Sequence, residues 1–164
     1  MNNVLNIASF FVSKGVSPLK LQKLLYYSKV WFFVKTGKDL FYQDIKAWIY
    51  GPVVPDIWQK FKYIRRTDLI PTDRLDDYPA PSHITPHLEE VWNAYGHLSG
   101  SQLVDLTHQE MPWRMSRIGY LGSQPSSNPV VISKTTTANH VLTNGKIPKV
   151  CSKLSLGIYS NKHF

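Results

Sequence analysis

The longest apolar stretch of the chain runs from Ser17 to Thr36, and its pattern of hydrophobic positions predicts a buried helix. Ser17 can cap the first N–H groups, Pro18 suits the first helical turn, and Gly37 can take the left-handed conformation that ends a helix. At 100° per residue, the apolar side chains point in nearly all directions around the axis. Other elements enclose such a helix, and lysines interrupt this one too often for a membrane span. Residues 17–36 are therefore the predicted central helix of a small domain.

Shorter patterns on both sides predict the remaining elements. Apolar residues at helical spacing predict helices at 3–14, 55–65 and 85–95, a short helix ending near 107, and a final turn at 112–118. Thr85-Pro86 predicts a capped helix start, and Gly96 a glycine-ended helix. Residues 38–50 lack a helical period and predict a short strand or hairpin. The predicted fold class is mainly α, a bundle of five to six helices with a strand or hairpin near 40–50.

The residue composition and the hydrophobic pattern of the chain change after Gly122. The segment SQPSSNP is linker-like, and HVLTNGKIPKV reads as a weak hairpin with Asn144-Gly145 at its turn. Disorder is the other interpretation of this tail, and the pattern does not decide between them. The predicted organisation is a helical domain at 1–122 and a basic C-terminal extension at 123–164.

The net charge of +8 is unevenly distributed along the sequence. Residues 1–66 carry 11 Lys or Arg against 3 Asp or Glu, whereas residues 67–122 carry 3 against 8. The last 42 residues carry 5 Lys and no acidic residue. This asymmetry allows nucleic acid or an acidic protein as a partner, and it fits equally well two solvated faces that partly neutralise each other.

The sequence predicts a cytoplasmic protein. A single cysteine, Cys151, excludes an intramolecular disulfide and a cysteine-rich zinc site. The N-terminus lacks the basic segment of a signal peptide, and Asn6 and Ser9 break its apolar run. Neither secretion nor a membrane partner is expected.

Candidate catalytic groups are few. The chain has no GxGxxG or Walker sequence, and His83 and His87 flank a helix start rather than sharing one regular face. His108 and Glu110 could form an acid–base pair, but they fit better as groups that satisfy the backbone between two helices. The sequence therefore predicts no enzyme, no metal and no cofactor.

A basic cluster is the best candidate for a nucleic-acid contact. Lys60, Lys62, Arg65 and Arg66 alternate with Phe61 and Tyr63. The same cluster could equally be the solvated face of a helix. A nucleic-acid-binding regulator that uses 60–66 and the basic tail is the alternative function.

Four segments together resemble the Panacea antitoxin domain, the family of SocA-like antitoxins and phage-associated GepA-like proteins. They are SPLKLQKLLYYSKVW, TGKDLF, IKAWIYGPVVPDIW and LVDLTHQEMPW, and they occur in order between about Val4 and Ile118. The resemblance implies a mainly helical antitoxin, often of bacteria or their prophages. Such a protein binds a toxin encoded nearby, and a SocA-type member delivers it to a cytosolic protease.

The residues that occupy the family motif are expected to form its framework rather than its toxin contacts, because a shared scaffold that faces varied toxins should vary its contact surface. They are Gln22, Tyr26, Tyr27, Trp48, Tyr50, Gly51, Pro52, Thr107, His108, Glu110 and Trp113. The tail departs from the family pattern, since Ser133 is followed by Lys-Thr-Thr-Thr, a poor helix sequence, where members usually continue into a serine-capped helix.

Overall fold

A long helix, α2 (Pro18–Thr36), lies at the centre of the computed structural model, which describes residues 1–150. Every residue from Leu21 to Trp31 is buried, including two lysines. The predicted boundaries are confirmed: the Ser17 hydroxyl accepts the Lys20 N–H, and Gly37 ends the helix with a φ of 70°. The helix is enclosed on all sides because its apolar side chains surround the axis.

Seven further elements complete the fold, and the mainly α class is confirmed. They are α1 (Val4–Lys14), β1 (Lys46–Trp48), β2 (Gly51–Val53), α3 (Pro55–Phe61), α4 (Thr85–Tyr95), α5 (Gly100–His108) and α6 (Met111–Ser116). Helix α2 contacts α1, α3, α4, α5 and β2. Between α2 and α4, the Tyr27 and Tyr95 rings stack 3.9 Å apart, and the Trp31 indole N–H donates to the Tyr95 hydroxyl at 2.7 Å. None of the helices in residues 1–150 is long and apolar enough to cross a membrane.

The predicted hairpin is present, with its first strand inside 38–50 and its second strand directly after that range. Strands β1 and β2 pair antiparallel, with Lys46 opposite Val53 and Trp48 opposite Gly51. The Gly-Pro corner therefore forms the second strand, because Gly51 takes a φ of 97° and turns the chain back beside β1. Leu40 and Phe41, which lie before the hairpin, are buried in the core.

Helix α3 ends at Phe61, four residues before the predicted end. The chain then makes a tight turn, in which the Ile64 N–H donates to the Phe61 carbonyl. This turn brings the Arg66 carbonyl to the Leu19 N–H at 3.0 Å. The turn after α3 thus provides an acceptor for one of the free N–H groups in the first turn of α2.

Thr85 and Gly96 lie at the two ends of α4, but the predicted cap at Thr85 and the left-handed conformation expected at Gly96 are wrong. Thr85 is the first helical residue rather than the cap, and its hydroxyl donates to the Pro81 carbonyl. Gly96 follows the helix with a φ of −62°, so it does not take the left-handed conformation. Glycine fits there because a Cβ would lie 2.6 Å from the Trp92 carbonyl oxygen.

The part of the tail that the structure describes, 123–150, packs against the helical domain. The Val130 N–H donates to the Ile45 carbonyl at 2.8 Å, and the Val150 N–H donates to the Ala94 carbonyl at 3.1 Å. Asn144 and Gly145 form the predicted turn, with positive φ angles between the bridged residues 143 and 146. Cys151 lies outside the described residues, and the division at residue 122 stays a prediction.

Candidate functional site

The Gly-Pro corner is held onto α2 by two side chains of the central helix. The Gln22 amide accepts the Val54 N–H at 2.8 Å and donates to the Val54 carbonyl at 3.2 Å, as a neighbouring strand would. One residue later, the Lys23 ammonium donates to the Pro52 carbonyl at 3.0 Å. The backbone of the corner thus has polar partners although it is buried.

Gly51 sits where a side chain has no room. A Cβ at this position would lie 2.7 Å from the Thr107 hydroxyl oxygen and 3.0 Å from the Lys23 Cε. The motif residues Gly51 and Thr107 therefore meet at a close contact between β2 and α5.

Gly51→Ala is expected to destabilise the protein by about 3 kcal/mol, because a positive φ and a steric clash act together. Gly37→Ala is the matched control, since Gly37 has a φ of 70° but nothing within 4 Å of its Cβ position. We expect the control to cost about 1 kcal/mol in urea unfolding. Equal losses in the two variants would contradict the steric contribution at Gly51.

A buried carboxylate joins the α5–α6 junction to α2. The Tyr26 hydroxyl donates to Glu110 Oε1 and the Tyr27 hydroxyl to Glu110 Oε2, both at 2.9 Å. Tail residue His140 adds a third group, with its Nε2 3.4 Å from Glu110 Oε1. The sequence analysis missed His140, since a single histidine in a tail without periodicity carries no signal of its partner.

His108 takes part in a separate contact. Its ring stacks on Trp113 at 4.1 Å, and the Trp113 indole N–H donates to the Trp48 carbonyl at 2.9 Å. Burial lowers the pKa of the His108 imidazole, and the nearby Lys23 ammonium lowers it further. Within residues 1–150, the histidine that approaches Glu110 is His140, so the structure does not assemble the candidate His108–Glu110 pair.

An apolar groove of about 800 Å³ opens between the first turns of α2, the hairpin and α3. Leu19, Ile57 and Phe61 line its interior, and the indoles of Trp48 and Trp58 meet edge to face at its wall, 5.5 Å apart. A concave apolar surface with a few polar groups is the usual form of a binding site.

Three of the four cations of the predicted basic cluster border this groove. They are Lys62, Arg65 and Arg66, and all three are exposed. The fourth, Lys60, points elsewhere, with its ammonium 5.5 Å from the centre of the Tyr78 ring. Among the described residues that line the groove, none is Asp or Glu. The groove is therefore apolar inside and positive at its edge.

Lys23 also contributes to the wall of the groove, although its side chain is fully buried. Burial lowers the pKa of its ammonium from 10.5 to about 7. None of the ion pairs within residues 1–150 includes Lys23. Nothing in this part of the chain offsets the cost of burying the charge except the hydrogen bond to Pro52.

His83 and His87, the two histidines considered as metal ligands, have different environments. His83 is exposed, whereas the buried His87 Nε2 donates to the Ser28 carbonyl at 2.8 Å. In the described part of the chain, no group of three or more His, Cys, Asp or Glu side chains is arranged to hold a metal ion.

Comparison with known proteins decides the family. Residues 21–114, more than half of the chain, match the family model for the SocA-like antitoxin, Panacea domain. The chain belongs to the SocA-like Panacea antitoxin family. It is 33% identical over 109 residues to antitoxin SocA of Caulobacter vibrioides (strain NA1000 / CB15N). That match spans 60% of this chain and 58% of antitoxin SocA. No solved structure matches the chain.

The Panacea match includes the residues that hold the corner and the buried carboxylate. It also includes Trp58 and the three cations at the groove edge, whereas groove residues Pro125, Ser126 and Ser127 lie outside it. Groove residues Pro18 and Leu19 lie before the match, so the groove is built mostly by the matched residues and completed by segments on both sides of them.

Proposed function

We propose that this protein neutralises a toxin encoded next to it by binding the toxin directly. Membership of an antitoxin family carries this proposal. An antitoxin of this kind acts by binding and not by catalysis, and it acts in the cytoplasm, where its toxin is made.

Four of the motif residues have structural partners inside the fold, which fits an antitoxin that binds through its surface. Gln22 bonds the backbone of the corner, and Tyr26, Tyr27 and Glu110 bond one another in the interior. These polar groups are engaged inside the fold, which fits a framework that leaves recognition to the surface. The groove and its positive edge have the apolar interior and the exposed Trp and Arg side chains that protein contacts use.

Co-expression with each flanking open reading frame tests the proposal. We expect one neighbouring product to stop growth alone, to permit growth when co-expressed with this protein, and to be retained with it in a pull-down. The control is co-expression of a chain that carries a stop codon early in α2. If no neighbouring product is both toxic and bound, the proposed function is wrong.

Delivery of the bound toxin to a cytosolic protease is a finer version of this function, which the resemblance to the SocA-like family implies. Masking and delivery differ in the fate of the toxin. With masking, the toxin level stays constant when the antitoxin is co-expressed. With delivery, the toxin level falls, and it recovers in a strain that lacks the protease.

A nucleic-acid-binding regulator is the second candidate, and the exposed Lys62, Arg65 and Arg66 favour it. Cations that neutralise phosphates release counterions, so affinity for DNA should fall steeply as the salt concentration rises. Titration of the upstream DNA of the operon at several salt concentrations tests this candidate. Affinity that does not change with salt would exclude it.

A further inference from the structure

The groove next to α3 combines apolar walls with uncompensated positive charge. Leu19, Ile57 and Phe61 form an aliphatic and aromatic interior. Trp58 stays 42% exposed at the wall, and Tyr50 stays 51% exposed beside it. Exposed Trp, Tyr and Arg side chains around a concave apolar surface are the residues that dominate binding energy at protein interfaces.

The charges at the groove call for an acidic ligand. Lys62, Arg65 and Arg66 lie at its edge, and the buried Lys23 forms part of its wall. No acidic residue within the described part of the chain lines the groove. A ligand that brings carboxylates to this edge would gain charge-assisted hydrogen bonds from the arginines and faster association by electrostatic steering.

We propose that this groove binds an acidic segment of the partner toxin, which inserts one or two apolar side chains beside Trp58 and places carboxylates against Lys62, Arg65 and Arg66. The inference rests on the proposed function, because the toxin is the partner that an antitoxin must bind. It adds the location of the interface and the chemistry of the segment that occupies it.

A nucleic-acid strand fits this groove less well than a peptide does. Single strands bind by stacking bases on open aromatic faces. Here the Lys62 ammonium lies over the Trp58 ring at 5.6 Å, and the Arg66 guanidinium lies over the Tyr50 ring at 4.4 Å. One face of each ring therefore lies against a cation and is less open to a stacked base, whereas the aliphatic interior suits leucine-like or phenylalanine-like side chains.

The C-terminal residues of the chain itself do not have the complementary charge. Residues 151–164 contain Lys153 and Lys162 and no acidic residue. Like charges at close range are unfavourable, so this segment is a poor occupant of a positive groove.

The first test reverses charge at the groove edge. The double variant Lys62→Glu/Arg65→Glu should bind the toxin found by co-expression at least about tenfold more weakly at low salt, and it should no longer restore growth. Lys38→Glu/Lys134→Glu is the matched control, because it changes the net charge equally at two exposed lysines that do not line the groove. Its affinity should stay within about twofold of the wild type.

The second test removes the apolar anchor. Trp58→Ala should weaken toxin binding by about tenfold or more, whereas Tyr42→Ala should leave it unchanged. Tyr42 is 61% exposed and does not line the groove. Circular dichroism and thermal unfolding of all four variants separate a lost contact from a lost fold. Groove variants that stay folded and neutralise the toxin like the wild type would overturn the inference.

Failure of the groove can be distinguished from failure of the antitoxin function. If the wild type neutralises a toxin and the groove variants also do so, only the groove assignment is wrong. If no flanking product is neutralised, the probe is a labelled hexapeptide that alternates aspartate with leucine or phenylalanine. A control peptide carries lysine in place of each aspartate. If the acidic peptide binds the wild type, and if binding is lost both with Lys62→Glu/Arg65→Glu and with the control peptide, the groove chemistry is supported. Absence of binding of the acidic peptide to the wild type would overturn it.

Two other results would also overturn the inference. One is salt-dependent binding of a single-stranded oligonucleotide at the groove without binding of the peptide. The other concerns the oligomeric state. If the wild type self-associates, and the groove variants are monomers that still bind the toxin, the groove is occupied by a second copy of this chain.

Discussion

Glu110→Ala is expected to lower the free energy of unfolding by about 3–5 kcal/mol, the largest loss of any single substitution considered for this chain. The variant removes the acceptor of two fully buried tyrosine hydroxyls and the group that His140 approaches. It also leaves a cavity between α2 and the α5–α6 junction. Since domains of this size are stable by about 5–15 kcal/mol, much of the folded population would be lost on warming. Urea unfolding monitored by tryptophan fluorescence measures the change.

Two variants control this prediction. Glu89→Ala removes a half-exposed carboxylate whose ion pair with Lys14 is worth at most about 1 kcal/mol. Glu110→Gln keeps the volume and one acceptor oxygen, so we expect a loss between those of the two alanine variants. If Glu110→Ala cost no more than Glu89→Ala, the buried carboxylate would not be holding the two helices together.

The free energy of unfolding should rise by about 3 kcal/mol between pH 7 and pH 9.5, because of Lys23. Burial lowers the pKa of this ammonium from 10.5 to about 7 in the folded protein. Over this range the unfolded chain still binds the proton that the folded protein has released, so unfolding takes up a proton and becomes harder as the pH rises. Below pH 7 both states are protonated at Lys23, and this contribution to the slope disappears.

Lys23→Met should remove that rise, because a methionine side chain does not titrate, although it also removes the hydrogen bond to the Pro52 carbonyl and therefore lowers the stability gained by losing the buried ammonium at pH 7. Lys38→Met is the control, because the exposed Lys38 side chain should leave the rise intact. Urea midpoints measured at pH 7 and 9.5 provide the comparison. The same rise in wild type and Lys23→Met would assign the pH dependence to another group.

Local signals in the sequence were sufficient for elements that neighbouring residues determine. The cap at Ser17, the end at Gly37 and the turn at Asn144-Gly145 each depend on the conformational preference of one or two residues. The burial of α2 was equally readable, because its apolar side chains leave no face for solvent.

Tertiary contacts decided what the sequence did not reveal. The second strand of the hairpin is bonded by Lys23 at Pro52, and Gln22 bonds Val54 directly after it; both partners are about 30 residues away along the chain. Gly96 is required by the Trp92 carbonyl and not by a left-handed turn. The partnership of His140 with Glu110 spans 30 residues, and the groove forms only when α2, α3 and the hairpin meet.

The burial of α2 has a consequence for synthesis on the ribosome. Its eleven consecutive buried residues leave the exit tunnel early, but several of the elements that cover them, from β2 to α5, come later in the chain, and the His140 ring that contacts Trp31 comes later still. Until those later residues have been translated, α1 is available to pack against α2 but covers only part of its apolar surface. Any message truncated before that point therefore yields a product with this helix partly uncovered, which chaperones and proteases can recognise.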